Sequence, residues 1–321
     1  MRAVVIHDVG GPEVLSYESV PVPQPGEGQV RVKIEAAGLN FLDIYQRSGR
    51  SRLRLPTVLG VEAAGTVDAV GPQVSDLEPG ARVAYAMRLG AYAEYAIVPA
   101  DRLVPVPDGI ESQQAAALLL QGMTAHYLTH STYPIRPGDT AVVHAAAGGV
   151  GLLLVQLIKR RGGWVAGTAS TEEKAQLARQ AGADEMIVYT ETDFAEQVKR
   201  LTGGRGVHVV YDSVGKTTFD HSLSCLRPRG CLVLFGQSSG PVPAVEIDAL
   251  TQGSLFLTRP GLLHHIADRQ ELLGRAGDLF GWLAAGDLHL TLDRTFPLAE
   301  AAAAHQYIEA RRTKGKVLLI P

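Results

Sequence analysis

The run Thr140-Ala-Val-Val-His-Ala-Ala-Ala-Gly-Gly-Val-Gly-Leu-Leu-Leu-Val-Gln-Leu-Ile158 constrains the chain more than any other segment. A β-branched strand enters a glycine turn, and the turn opens onto an apolar, helix-forming stretch. This order presents a helix N-terminus, with its unpaired N–H groups, to a pyrophosphate at the end of a parallel strand. Gly148 lets the backbone approach phosphate oxygens, and Gly151 lets the helix lie close on the strand. Gly149 and Val150 complete the turn. Ala146 stands where the usual fingerprint has its first glycine, so the match is Ala-x-Gly-x-x-Gly. Glycine turns are common in α/β proteins, and a purely structural βα turn is the competing reading. The legible strand before the turn and helix after it favour a dinucleotide site.

The texture of the chain changes on either side of about residue 118. Before it, strands are short and turns frequent, with signals at Gly10-Gly11, Pro25-Gly26, Pro79-Gly80 and Pro107-Asp108-Gly109. Val30, Val32, Ile34 and Ala36 alternate with polar neighbours, as a half-buried antiparallel strand requires. A small, partly open barrel is expected there. After a helical segment at about 111–131, strands near 140–146, 164–169, 185–189, 207–212, 230–236 and 255–259 alternate with helices near 149–161, 171–181, 192–202 and 217–226. That spacing builds a doubly wound parallel sheet, an α/β fold whose strands are apolar on both faces. A tail from about 265 holds a helix, a strand near 292–296, another helix and a final strand, Lys316 to Ile320. The predicted division is 1–118 with 265–321, and 119–264.

With 321 residues the chain buries a core without disulfide or metal staples. Its 30 basic and 33 acidic residues give a net charge of -3, with no electrostatic footprint for nucleic acid and no polybasic membrane anchor. Cys225 and Cys231 lack metal-site spacing and read as small core residues in a reducing compartment. No charged-then-apolar leader precedes the strand at Arg2, and the longest apolar runs fall far short of a bilayer span. A cytoplasmic chain is expected.

The second strand of the parallel sheet selects the coenzyme. Where an NAD site places an acid to hold ribose hydroxyls, this chain has Ser170, in Gly167-Thr-Ala-Ser-Thr-Glu-Glu-Lys174. A hydroxyl, a helix N-terminus and the Lys174 ammonium together suit a phosphate, so NADPH is expected over NADH. Tyr189, at the end of the third strand, is a candidate for one more hydroxyl. The competing reading makes Ser170 the helix N-cap and Lys174 a solvated lysine, and Glu172 and Glu173 nearby favour it.

Five segments taken together resemble a known family: Ala36-Ala-Gly-Leu-Asn-Phe-Leu-Asp43, Leu59-Gly-Val-Glu-Ala-Ala-Gly65, His144-Ala-Ala-Ala-Gly-Gly-Val-Gly151, Tyr211-Asp-Ser-Val-Gly215 and Phe235-Gly236. Nearly the whole chain is similar to the zinc-independent medium-chain dehydrogenases/reductases, specifically the quinone oxidoreductases related to zeta-crystallin. The resemblance implies a GroES-like catalytic domain, a Rossmann domain, a cleft between them and NADPH as reductant. It implies that Ser170, Lys174 and Tyr189 hold the 2′-phosphate. It implies that Gly148, Gly149 and Val150 meet the pyrophosphate. Ser213, Phe235, Gly236 and Arg259 match coenzyme-side positions, and Asn40, Asp43, Tyr45 and Thr124 match positions lining the nicotinamide and substrate. A homodimer joined edge to edge through Rossmann sheets is implied as well. One departure is Ser51, where relatives often carry a tyrosine. It lies in a basic run, Arg47, Arg50, Arg52 and Arg54, that either faces water or meets an anionic substrate.

The related zinc dehydrogenases take a cysteine where this chain has Asn40, a histidine where it has Val61, and a cysteine at about Gln121. Without soft ligands no zinc site is expected. Hydride delivery to an acceptor that is already electrophilic is then the expected chemistry: a quinone, or alternatively an activated alkene such as an enone or enoyl compound. Asn40 and Tyr45 are candidates to donate hydrogen bonds to the acceptor or the carboxamide. Asp43 reads otherwise as a local cap, Glu62 as a structural carboxylate, and Tyr45 as an ordinary buried tyrosine.

Two other classes compete. Gly236-Gln-Ser-Ser-Gly240 matches a nucleophile elbow, with Asp287 and His289 downstream, but Pro241 and Pro243 oppose the helix that an elbow needs behind its serine. A non-enzymatic role in binding NADPH or RNA is compatible with the fold.

Overall fold

A computed structural model describes residues 1–321. The chain forms two compact units: Met1–Met123 with Ile266–Pro321, and Thr124–His265.

In the first unit the chain runs through β1 (Arg2–Ile6), β2 (Ser16–Ser19), β3 (Gln29–Leu39), α1 (Phe41–Arg47), β4 (Thr57–Val58), β5 (Glu62–Val70), β6 (Arg82–Ala86), β7 (Tyr95–Pro99), β8 (Val104–Pro105) and the start of α2 (Ser112–Tyr127). Val30, Val32 and Ile34 of β3 point inward, onto Ile6, Leu59, Val83 and Val98. The strand does not stop at Ala36. Its register against β5 shifts between Ile34 and Ala36, and from there Ala36 to Leu39 are all buried. A bulge re-aims side chains in this way, and here it carries the strand to Asn40. α1, which has no strong periodic signal in the sequence, begins immediately after.

The second unit contains β9 (Thr140–Val143), α3 (Gly149–Arg160), β10 (Trp164–Ala169), α4 (Glu172–Gln180), β11 (Glu185–Val188), α5 (Phe194–Leu201), β12 (Val207–Asp212), α6 (Phe219–Ser224), β13 (Leu226–Leu234), β14 (Phe256–Thr258) and the short α7 (Leu262–His265). All pairings are parallel, in the order β11-β10-β9-β12-β13-β14. Counted from the first strand of this sheet, that is the doubly wound dinucleotide-binding order. Val142, Ala166, Ile187, Val210 and Leu232 place an apolar side chain from each of five strands in one core. The expected helices are present within two or three residues, and α2 runs on as a π-helical turn, Leu128–Thr132.

The chain then returns to the first unit through α8 (Arg269–Ala284), β15 (Leu292–Pro297), α9 (Ala301–Glu309) and β16 (Lys316–Ile320). β16 pairs parallel with β15 and antiparallel with β3, opposing Val317 to Leu39. The last strand therefore sets Lys316 beside the end of β3.

Candidate active site

The carboxyl ends of the parallel strands bring most of the expected coenzyme residues of the second unit to one edge of its sheet. Gly148 follows β9 and is the N-cap of α3, where it supplies no side-chain cap. The first-turn N–H groups of that helix therefore remain available to an anion. Gly151 is required by a close approach: a Cβ there would lie 2.3 Å from the Ala145 carbonyl oxygen and 2.8 Å from the Ala146 Cα. Ser213 follows β12 and Phe235 follows β13, and the Phe235 N–H donates to the Asp212 carbonyl at 2.9 Å. Gly236 packs so close to Ser213 that a Cβ would come within 2.7 Å of its carbonyl oxygen. Arg259 leaves β14 and donates to the Leu234 carbonyl at 3.5 Å. Thr124 opens the second unit within α2.

Ser170 and Tyr189 follow β10 and β11, which are adjacent, with Ala169 opposite Val188. The helix cap is Thr171, whose hydroxyl oxygen accepts from the Lys174 N–H at 3.3 Å. Ser170 is thus released from the capping role that the competing reading gave it. The Glu172 carboxylate is engaged by Arg179, whose hydrogen bond holds its pKa below the usual range. Its charge opposes a phosphate less than the sequence suggests. Tyr189 is 40% exposed.

A buried polar chain lies beneath these turns. Ser222 donates its one O–H to Asp212 at 3.1 Å, so it accepts from His144 Nε2 at 2.9 Å. The other ring nitrogen then accepts from Thr168 Oγ1 at 3.0 Å. Burial drives the His144 pKa down, which keeps the ring neutral and this tautomer in place. Asp212 Oδ1 accepts from the Val214 and Gly215 N–H groups at 2.7 and 2.9 Å and so holds the Ser213 turn. The chain ties together the ends of β9, β10 and β12. His144, Thr168 and Asp212 fall inside motifs legible in the sequence and Ser222 does not, and only the tertiary contacts reveal their connection.

The first unit assembles a second cluster around Asn40. The Asn40 carboxamide donates to the Gly38 carbonyl at 3.1 Å and to Glu62 Oε2 at 2.9 Å. Lys316 Nζ donates to Asn40 Oδ1 at 2.9 Å and to Glu62 Oε2 at 2.6 Å. Glu62 Oε1 accepts the Leu120 N–H at 2.6 Å. Lys316 and Glu62 are 2% and 0% exposed. Gly38 makes the carboxylate's position possible: a Cβ there would sit 2.3 Å from Glu62 Oε2. Asp43 has no exposed surface. It accepts from the Asn40 N–H and the Tyr92 hydroxyl, both at 2.8 Å, and so fixes the start of α1. Burial pushes its carboxyl up to about 7, against the opposing pull of Tyr92, the Asn40 N–H and Lys316. Asp43 is therefore the cap that its local sequence also allowed, not a group that touches a bound molecule. Lys316 and Tyr92 were missed in the sequence. The available signal was a lysine opening the otherwise apolar strand Lys316-Val-Leu-Leu-Ile320.

Tyr45, on α1, is half-buried, with the Arg50 guanidinium 5.9 Å from its ring centre. The basic run divides. Arg50, Arg52 and Arg54 are exposed, whereas Arg47 is buried. Arg47 lies one helical turn beyond Asp43 and therefore on the inward face of α1. It pairs with Glu309 at 2.7 Å, approaches His305 Nδ1 at 3.2 Å and donates to the Gly10 carbonyl. It neither faces water nor is open to an anionic substrate.

No group of three or more His, Cys, Asp or Glu side chains is placed to hold a metal ion. Val61 is a buried aliphatic residue, and Asn40 is already bonded to an ammonium. The residues present do not fit a catalytic zinc. Cys225 and Cys231 are buried free thiols, and burial pushes them to about 12 and 11. The Gly236–Gly240 segment forms no elbow: the Ser238 and Ser239 N–H groups bond back to Ser213 and Val214. No α-helix follows until Leu262.

Residues 26–108 match the profile of the alcohol dehydrogenase GroES-like domain, and residues 149–269 that of zinc-binding dehydrogenase. The chain is 48% identical to a quinone oxidoreductase of Pseudomonas aeruginosa, over 97% of each chain. It is 46% identical to a 2-haloacrylate reductase of a Burkholderia species, over 100% of this chain and 99% of that one. The structure of Escherichia coli quinone oxidoreductase complexed with NADPH superimposes with a TM-score of 0.98, at 43% identity and full coverage of both chains.

Proposed function

The chain belongs to the quinone oxidoreductase family of the medium-chain dehydrogenases/reductases, and from that premise we propose that it reduces quinones with NADPH, without a bound metal. The observation that carries the reading is the edge of the parallel sheet. A helix N-terminus without a side-chain cap, a serine in place of the ribose-binding acid, and a lysine one turn further all lie there. When bound, NADPH supplies the hydride. The protein holds and orients. Gly148, Gly149 and Val150 offer backbone N–H groups to the pyrophosphate. Ser170, Lys174 and Tyr189 hold the 2′-phosphate. Ser213, Phe235, Gly236 and Arg259 line the strand ends along the coenzyme. Thr124, Asn40 and Tyr45 meet the nicotinamide or the acceptor, and Asp43 positions Asn40 through the backbone. Lacking ligands for a Lewis acid, these groups suit an acceptor that needs no activation.

Reduction of activated alkenes is a second reading, favoured by the 46% identity to a 2-haloacrylate reductase. The test of both is NADPH oxidation against 1,4-benzoquinone, 9,10-phenanthrenequinone, an aliphatic enone and a simple ketone. Fast turnover of the quinones with a slow or absent ketone reaction is expected, unchanged by chelators. Ketone reduction at a comparable rate would overturn the assignment.

A homodimer joined through β14 is part of the proposal. β14 is an edge strand paired only with β13, and it carries Phe256, 61% exposed. Phe256→Glu is expected to shift the protein to monomer in sedimentation equilibrium. A dimer unaffected by the substitution places the interface elsewhere. The near-neutral charge supports a small-molecule role over a nucleic-acid one. Two buried free thiols support a cytoplasmic setting.

A further inference from the structure

We propose that Lys316 and Glu62 lock the Asn40 carboxamide with both N–H bonds turned inward, so that Asn40 offers a bound molecule only its carbonyl oxygen. An ammonium has three donors and no acceptor, so the Asn40 atom facing Lys316 Nζ at 2.9 Å is the oxygen. That leaves the amide nitrogen toward Gly38 O and Glu62 Oε2, at 3.1 and 2.9 Å. An amide nitrogen carries two hydrogens, and both are spent. The carboxylate is in turn held by the Leu120 N–H and the Lys316 ammonium, 2.6 Å each. With these partners in place, flipping the amide would set its NH2 against the ammonium and its oxygen against the carboxylate. Asn40 is 6% exposed, so solvent competes little for it, and within the protein its side chain also faces the Asp43 backbone N–H in the capping box of α1.

The consequence reverses the polarity that an asparagine at this position suggests. Asn40 cannot donate to a quinone oxygen or stabilise a developing negative charge. It suits a partner bearing an N–H or O–H group. Within the proposed NADPH-dependent reaction, on which this part rests, that donor is either the coenzyme's carboxamide N–H or the hydroxyl of the reduced acceptor. Lys316 and Glu62 are positioning residues, since neither has surface with which to reach a ligand.

Asn40 is the only asparagine among the 321 residues, so labelling with 15N-asparagine gives one side-chain NH2 pair. In the parent protein this pair is expected to exchange with solvent on the order of a hundredfold more slowly than a free amide. The double variant Lys316→Met/Glu62→Gln leaves no stranded charge and is expected to fold, with exchange accelerated at least about tenfold. An unprotected amide in the parent, or equal protection in a folded double variant, would overturn the lock.

The donor is then identified with Asn40→Ala, using NADPH and its 3-acetylpyridine analogue, whose methyl ketone has no N–H. A selective loss of NADPH affinity, about two- to tenfold, assigns the carboxamide. Equal coenzyme affinities with a lowered kcat/KM for the quinone assign the hydroxyl. No change in either overturns the role given to the oxygen. If the parent fails to bind NADPH at all, the functional reading falls while the exchange measurement still reports on the lock.

Discussion

Lys316 and Glu62 carry opposite charges with almost no exposed surface, and removing one strands the other. Lys316→Met alone is expected to cost about 3–5 kcal/mol of stability in denaturant unfolding. The double variant with Glu62→Gln should recover much of that loss. A single variant as stable as the parent would mean that Glu62 finds another cation or takes up a proton. Lys174 is the second residue whose removal is diagnostic. A charge-assisted hydrogen bond contributes roughly 1.5–3 kcal/mol. Lys174→Ala should therefore weaken NADPH binding about ten- to a hundredfold and leave NADH nearly unchanged. Equal losses for both coenzymes in a fluorescence titration would remove the 2′-phosphate role. Neither cluster follows from residue type alone. Ser170 and Lys174 stand out as candidates because the replacement of an acid by a serine is visible in a linear motif. Lys316 was not, because it lies 276 residues from Asn40.

At the scale of elements, the strand–turn–helix unit at β9 and α3 depends on close backbone contact. Gly151→Ala places a methyl group against the Ala145 and Ala146 backbone, which has no side-chain freedom to yield. The helix must lift from the strand. A loss of about 1–3 kcal/mol is expected, as for other overpacked sites, together with weaker coenzyme binding. Unchanged stability and affinity would show that the turn relaxes cheaply. Most elements of the second unit are legible because apolar strands and helical periods alternate at regular spacing. α1 is not, because seven residues make too short a window for a period. Its start depends on Asp43 meeting Tyr92, 49 residues away.

For the whole molecule, buried histidine couples folding to pH. Burial and the neighbouring Arg47 push His305 down to about 3, from an ordinary value of 6.5. Between those limits the unfolded chain binds a proton that the folded one refuses, so stability falls as pH falls. The slope for one such group is about 1.4 kcal/mol per pH unit. Asp43 acts in the opposite sense. Its folded value is raised to about 7 from 3.8, so its contribution declines as pH rises through that window. His305→Gln should therefore reduce the difference in unfolding free energy between pH 6 and pH 4 by about 2 kcal/mol. Parallel pH profiles for variant and parent would show that His305 is protonated in the folded state.

The order of strands and helices, the glycine turn between β9 and α3, the serine where an NAD site has its acid and the lack of a soft-ligand set are all local or periodic features. Each is a property of neighbouring residues, and so each can be read from the sequence. The tertiary structure alone decided the burial of Arg47, the conversion of Asp43 into a cap and the engagement of the Asn40 N–H groups. Those outcomes depend on which distant side chain arrives: Glu309 and His305 at Arg47, Tyr92 at Asp43, and Glu62 and Lys316 at Asn40, where the antiparallel pairing of β16 with β3 delivers the lysine.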